Sequence, residues 1–142
     1  MADLLAPRVT PRLAREPLTA LDDGSRCLAL LAADACDDRK AIDIQLIRVD
    51  GVGYLTDWFV ICSGASTSQV RAICRSVEER LERERGRRPL RIEGLEGGRW
   101  VLIDYGELIV HVMSPAARSF YDLESFWGHG EMEHYAAPPA QA

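Results

Sequence analysis

The residues of this chain that could do chemistry are a Ser63-Gly64 turn, three histidines and four cysteines. Ser63-Gly64 ends an apolar run and precedes a helical pattern, an arrangement whose turn amides can hold a triphosphate. Such a site also needs two carboxylates one residue apart on the following strand to hold magnesium. Here residues 90–93 carry one acid, Glu93, and residues 100–104 carry one, Asp104. Asp122 and Glu124 have the spacing but fall in a helical pattern, where residues two apart point to different sides. The turn therefore reads as a helix cap, with no catalytic residue expected. His111 has no histidine or cysteine at ligand spacing and reads as a packing or hydrogen-bonding residue; His129 and His134 lie near the C-terminus. No metal set and no cofactor are expected. The G-x-S-x-G and G-x-x-x-x-G-K-[ST] motifs are absent, and Gly51-Val52-Gly53 is too short for a dinucleotide fingerprint. Cys27, Cys36, Cys62 and Cys74 form no C-x-x-C pair and lie in apolar periodic segments. They read as core thiols in a reducing cytoplasm.

The elements that must position these residues follow from periodicity. Residues 1–24 carry Pro7, Pro11 and Pro17 without an apolar period and read as a flexible tail. Ser25 could cap a helix over 25–38, with Leu28, Leu31, Ala32 and Ala35 as its stripe. Ile42, Ile44 and Leu46 alternate with Asp43 and Gln45 as in a strand, ended by Asp50-Gly51 and Gly53. Residues 58–62 are continuously apolar, as in a strand covered on both faces. Ser66 and Gln69 fit a capping box for a helix with Val70, Ile73, Cys74, Val77 and Leu81 inward, stopping near Gly86. Residues 90–93 could be an edge strand, and 100–104 and 108–113 are spaced as an antiparallel hairpin. Ser114-Pro115 starts a helix that runs to Trp127, with Gly128 as its cap. Residues 129–142 read as a second tail. The order predicts a single α/β domain over 25–128, with a mixed sheet of about five strands and three helices.

A chain of 142 residues holds one domain, and 47% hydrophobic with 27% charged residues suits a folded protein. The net charge of −5 argues against a nucleic-acid binder and suits an acidic protein meeting a basic one. No apolar run reaches the ~20 residues of a membrane span, and none resembles a signal peptide. Residues 71–91 hold eight Arg against four Glu. They read as a solvated helix face with pairs such as Glu79–Arg83, with an RNA-facing patch as the alternative.

In the hairpin, pairing Asp104 with Ile109 puts Val101, Ile103, Val110 and Val112 on one face. Trp100, Leu102, His111 and Met113 then share the other. Both faces are apolar or amphipathic, where a half-exposed hairpin would alternate with charge. Either helices cover both, or the Trp100 face is left open for a partner. Three helices can hardly tile both sides of five strands, which favours an open, docking Trp100 face.

Residues 56–64 (Thr-Asp-Trp-Phe-Val-Ile-Cys-Ser-Gly), 100–113 (Trp-Val-Leu-Ile-Asp-Tyr-Gly-Glu-Leu-Ile-Val-His-Val-Met) and 118–127 (Arg-Ser-Phe-Tyr-Asp-Leu-Glu-Ser-Phe-Trp) together resemble the iojap or ribosome silencing factor family. The resemblance covers about residues 25–128. It implies a nucleotidyltransferase-related fold without the catalytic acids. It implies a cytoplasmic, non-enzymatic protein that binds the large ribosomal subunit through its fourteenth ribosomal protein. The bound face could then not join a small subunit, so translation would fall when nutrients are short. Carried over by position, the contacts are Trp100, His111, Met113, Tyr121, Leu123 and Trp127, with Asp104 and Arg118 as polar partners; the hairpin face adds Leu102, and the arginines of residues 71–91 could make a peripheral ribosomal RNA contact. A large-subunit assembly factor and a nucleotidyltransferase-like enzyme are the alternatives. The expected state is a monomer or weak homodimer.

Overall fold

The computed structural model describes residues 18–49, 56–127 and 132–136. The elements are α1 (Leu18–Asp38), β1 (Ile42–Arg48), β2 (Trp58–Ser63), α2 (Thr67–Arg85), β3 (Arg91–Glu93), β4 (Trp100–Asp104), β5 (Leu108–Met113), α3 (Pro115–Tyr121), α4 (Leu123–Trp127) and β6 (Met132–His134). One mixed sheet runs in the order β3-β4-β5-β2-β1-β6. β2 and β5 are parallel; the other neighbours are antiparallel.

The α/β class and the hairpin register hold, with Trp100 opposite Met113, Leu102 opposite His111 and Asp104 opposite Ile109. Other expectations change. The sheet has six strands, because residues 132–134 of the expected C-terminal tail pair with β1. α1 starts at Leu18, inside the expected N-terminal tail, so Ser25 is a buried mid-helix residue and not a cap. Its buried stripe is Leu28, Ala29, Ala32, Ala33, Ala35 and Cys36, with Leu31 on the flank. The expected helix from 115 to 127 is two helices, broken where Asp122 turns left-handed at φ 49° and ψ 54°. In β1 the register shifts between Ile42 and Gln45, so the alternation fails and Ile42 is exposed. Residues 1–17, Asp50-Gly51, Gly53 and Gly128 lie outside the described residues.

The caps show why α2 and α3 begin where they do. Ser66 Oγ accepts from the Gln69 amide at 3.1 Å, and Gln69 Oε1 accepts from the Ala65 amide at 2.6 Å, close to a capping box. Ser114 Oγ accepts from the Ala117 amide at 3.1 Å, and Pro115 takes the first helical position. Gly86 ends α2 with φ 62°. Gly64 is required by close approach, since a Cβ there would stand 2.9 Å from the Val70 amide nitrogen.

The two faces of the sheet are covered unequally. The long helices α1 and α2 bury Val101, Ile103, Val110, Val112, Val60 and Cys62 in the larger core. The other face holds Ile47, Phe59, Ile61, Leu102, Ile109 and Met113, against which Ala117 of α3 and the half-buried Tyr121, Leu123 and Trp127 pack.

Candidate functional site

Two short helices close the hairpin face that the sequence reading left open. Leu102, His111 and Met113 are buried, and Trp100 is half-buried at the rim. The physical reason is apolar area: each large side chain left bare would forgo roughly 1.5–3 kcal/mol of burial. Short helices suffice because Tyr121 before the Asp122 break and Leu123 and Trp127 after it all pack against the sheet. Leu102, His111 and Met113 are therefore the floor of a site and not its surface.

That floor has one polar link. Trp100 Nε1 donates to His111 Nδ1 at 3.0 Å, which places the histidine proton on Nε2. Among the described residues Nε2 meets no hydrogen-bond acceptor, and the ring stands edge-on to Phe59 with centroids 4.6 Å apart. Burial alone pushes the His111 pKa down to about 3, so the ring is neutral near pH 7.

Two sets of touching rings rest on this floor, and His111, in contact with both Trp100 and Phe59, joins them. Trp100 lies against Tyr121 at 4.5 Å between centroids, Tyr121 meets Phe120 edge-on at 5.0 Å, and Phe126, Trp127 and Phe59 make the second set at 5.1 and 5.4 Å. Phe120 and Phe126 stand 78% and 66% exposed. Beside Trp100, a groove of about 570 Å³ is lined by Gly94, Arg99, Ala116, Ala117, Phe120 and Tyr121. Sequence reasoning missed both phenylalanines. Phe120, Leu123 and Trp127 sit at i, i+3 and i+7, so an unbroken helix would turn all three one way. The break separates Phe120 from the other two.

Asp104 and Arg118, expected as polar contacts, are buried internal links instead. Asp104 Oδ1 accepts from the Gly106 amide at 2.8 Å, and Oδ2 lies 3.5 Å from Arg91 Nε. Arg118 Nε donates to Glu124 Oε2 at 2.9 Å, and Nη1 donates to Ile42 O and Ser63 Oγ at 3.2 Å each. The guanidinium thus occupies the end of β2, beside the turn where a triphosphate would sit. The strand after α2 carries Glu93, and Asp104 on β4 is engaged as described. Among the described residues, no three of His, Cys, Asp and Glu gather where they could hold a metal ion. Thr56 Oγ1 donates to Gly106 O at 2.8 Å, and the buried Asp57 receives the Val49 amide on its carbonyl at 2.9 Å. These bonds tie the start of β2 to the hairpin turn and to the end of β1.

Two further expectations change. Cys36, Cys62 and Cys74 are core thiols, but Cys27 is exposed. Burial pushes the Cys74 thiol up to about 12. In the arginine-rich stretch, Arg83 reaches Glu84 and not Glu79. Arg80 pairs with Asp34, Asp38 and Glu84, Arg87 with Glu107, Arg88 with Glu82, and Arg91 with Glu93. Arg71 donates to the carbonyls of Leu95 and Glu96. No helix among the described residues is long and apolar enough to cross a membrane.

Comparison with known proteins places this geometry. The sequence model of a family described as "Ribosomal silencing factor during starvation" matches residues 22–141. A relative from Bacillus subtilis named ribosomal silencing factor is 42% identical over 98 residues, 69% of this chain and 82% of that protein. A crystal structure of a protein from Chromobacterium violaceum superposes with a TM-score of 0.70 at 36% identity, covering 82% of this chain and 95% of that one. A mouse protein named for mitochondrial assembly of the ribosomal large subunit is 34% identical over 90 residues, 62% of this chain and 40% of its own length.

Proposed function

We propose, from the premise that this chain belongs to the ribosomal silencing factor family, that it docks its aromatic row on a basic protein of the large ribosomal subunit, the fourteenth, and blocks joining of the small subunit. The observation that carries this reading is the pair of exposed rings, Phe120 and Phe126, each seated on a half-buried aromatic neighbour, Tyr121 and Trp127. Exposed aromatics on a packed base are the usual anchors of a protein interface. Trp100, Tyr121, Leu123 and Trp127 offer their outer edges to the partner. Leu102, His111 and Met113 support them from below, and Asp104 and Arg118 hold the surrounding turns. The mechanism is steric and uses no chemical step. A chain of net charge −5 is complementary to a basic protein.

The test is a joining reaction. Purified protein is added in excess to large subunits before small subunits, and joined ribosomes are measured by sedimentation. Joined particles should fall, and Trp100→Ala or Phe126→Ala should restore them, each anchor being worth about 2 kcal/mol or more. Unchanged joining at saturating protein would overturn the reading. The name of the mouse relative supports a second reading, a role in large-subunit assembly. Under that reading, deletion of the gene leads to accumulation of precursor large subunits, while joining of mature particles stays unaffected.

A further inference from the structure

One buried arginine links four elements, its own α3 and β1, β2 and α4. Arg118 is 8% exposed and lies in α3. Its guanidinium donates to the Ile42 carbonyl in β1, to Ser63 Oγ at the end of β2, and to Glu124 in α4. Nη2 also stands 3.4 Å from Asp43 Oδ2, an ion-pair distance without hydrogen-bond geometry.

Two of these links reach irregular places in the chain, the β1 bulge and the break before α4. Asp43 has φ 47° at the place where β1 loses register with β2. A bulge re-aims the groups it carries, and here the Ile42 carbonyl and the Asp43 carboxylate meet Arg118. A non-glycine residue in the left-handed region persists where its surroundings hold it. On the other side, α4 is separated from α3 by the left-handed Asp122. It has five residues, none of them buried. A helix that short does not hold itself. Among the described residues it is tied to the body by the packing of Leu123 and Trp127, the latter edge-on to Phe59, and by the Glu124–Arg118 bond.

We infer that Arg118 is a positioning residue: without touching the ribosomal partner it fixes α4 against the sheet, and so sets where Leu123, Phe126 and Trp127 stand. The consequence for binding rests on the docking reading above; the effect on α4 does not. A planar fork spreads five donors over three nitrogens, so Nε reaches Glu124 while Nη1 reaches Ile42 and Ser63; a lysine carries its three donors on a single nitrogen.

The experiment compares wild type with Arg118→Met, Arg118→Lys and Glu124→Gln. Arg118→Met keeps the packed stem and removes the fork. Glu124→Gln weakens the α4 tie alone, so it reports even if Arg118→Met folds poorly. Amide hydrogen exchange is followed by region, with retention on purified large subunits measured alongside. Exchange over residues 123–127 should rise about tenfold in Arg118→Met and Glu124→Gln, with α2 and β5 unchanged. Arg118→Lys should fail to restore it. The Arg118→Met/Glu124→Gln double variant should be no worse than Arg118→Met, as expected when two substitutions break one link. Retention should fall about tenfold in parallel. Unchanged exchange over 123–127, or a rise spread evenly over the sheet, would overturn the positioning role. If wild-type protein is not retained on large subunits, the docking reading fails, and the exchange pattern still decides the role of Arg118.

Discussion

At the scale of single residues, His111 Nδ1 is a buried acceptor on the second face. It accepts from Trp100 Nε1, and a protonated ring could not. Its folded pKa, pushed down to about 3 by burial, lies below the ordinary value of 6.5. Between those values the unfolded chain binds more protons than the folded one, so stability rises with pH. The His111 contribution is fully present above pH 6.5 and is lost as pH falls towards 3, at up to about 1.4 kcal/mol per pH unit. Urea midpoints between pH 5 and 7 should show that slope in wild type and a shallower one in His111→Gln; equal slopes would remove His111 as the cause. The thiols give a second residue-scale prediction. Cys27 should react with an aromatic disulfide reagent in the native protein, while Cys36, Cys62 and Cys74 react on unfolding. The hairpin was legible at this scale because a period of two sorts neighbouring residues by face. The work of Arg118 was not, since its partners Ile42 and Ser63 are 76 and 55 positions away.

At the scale of elements, legibility followed the strength of local signals. α2 has a serine cap, an inward stripe and a glycine stop, and each falls where the spacing puts it. β6 has three residues, Met-Glu-His, with no alternation to read; it is a strand because β1 offers an edge to pair with. Arg26 binds Glu133 and Tyr135 binds Asp34 at 2.5 Å, both linking that strand to α1. The break at Asp122 was hidden for a different reason. Asp is among the residues that enter the left-handed region at modest cost, but most aspartates do not, so the residue type permits a break without announcing one. This makes Asp122 a test of whether the break is intrinsic or imposed. Asp122→Gly should leave the urea midpoint unchanged or slightly raised, because glycine adopts φ 49° freely. Asp122→Val should cost about 1–2 kcal/mol at an unchanged m-value. If valine is tolerated as well as glycine, the left-handed turn is not what separates α3 from α4.

For the whole molecule, the question is whether the ribosome is met through protein or through RNA. Composition pointed to protein through its net charge, and left the arginines of residues 71–91 undecided. The fold answers for most of them: Arg80, Arg83, Arg87, Arg88 and Arg91 each lie within ion-pair distance of a carboxylate. Such exposed pairs add little stability, but they cancel the charge that phosphates would need. A chain held by six or more phosphate contacts would lose roughly 10³-fold or more in affinity between 50 and 200 mM salt. A chain held by Phe120, Phe126 and the row beneath them has little salt-sensitive energy to lose. Retention on large subunits should therefore change by less than about tenfold over that range. The Phe120→Ser/Phe126→Ser variant should lose retention at every salt concentration while its unfolding midpoint stays within about 0.5 kcal/mol of wild type, since neither ring is buried. A steep loss of wild-type retention with salt, unaffected by removing the two rings, would move the contact to the arginines and away from the aromatic face.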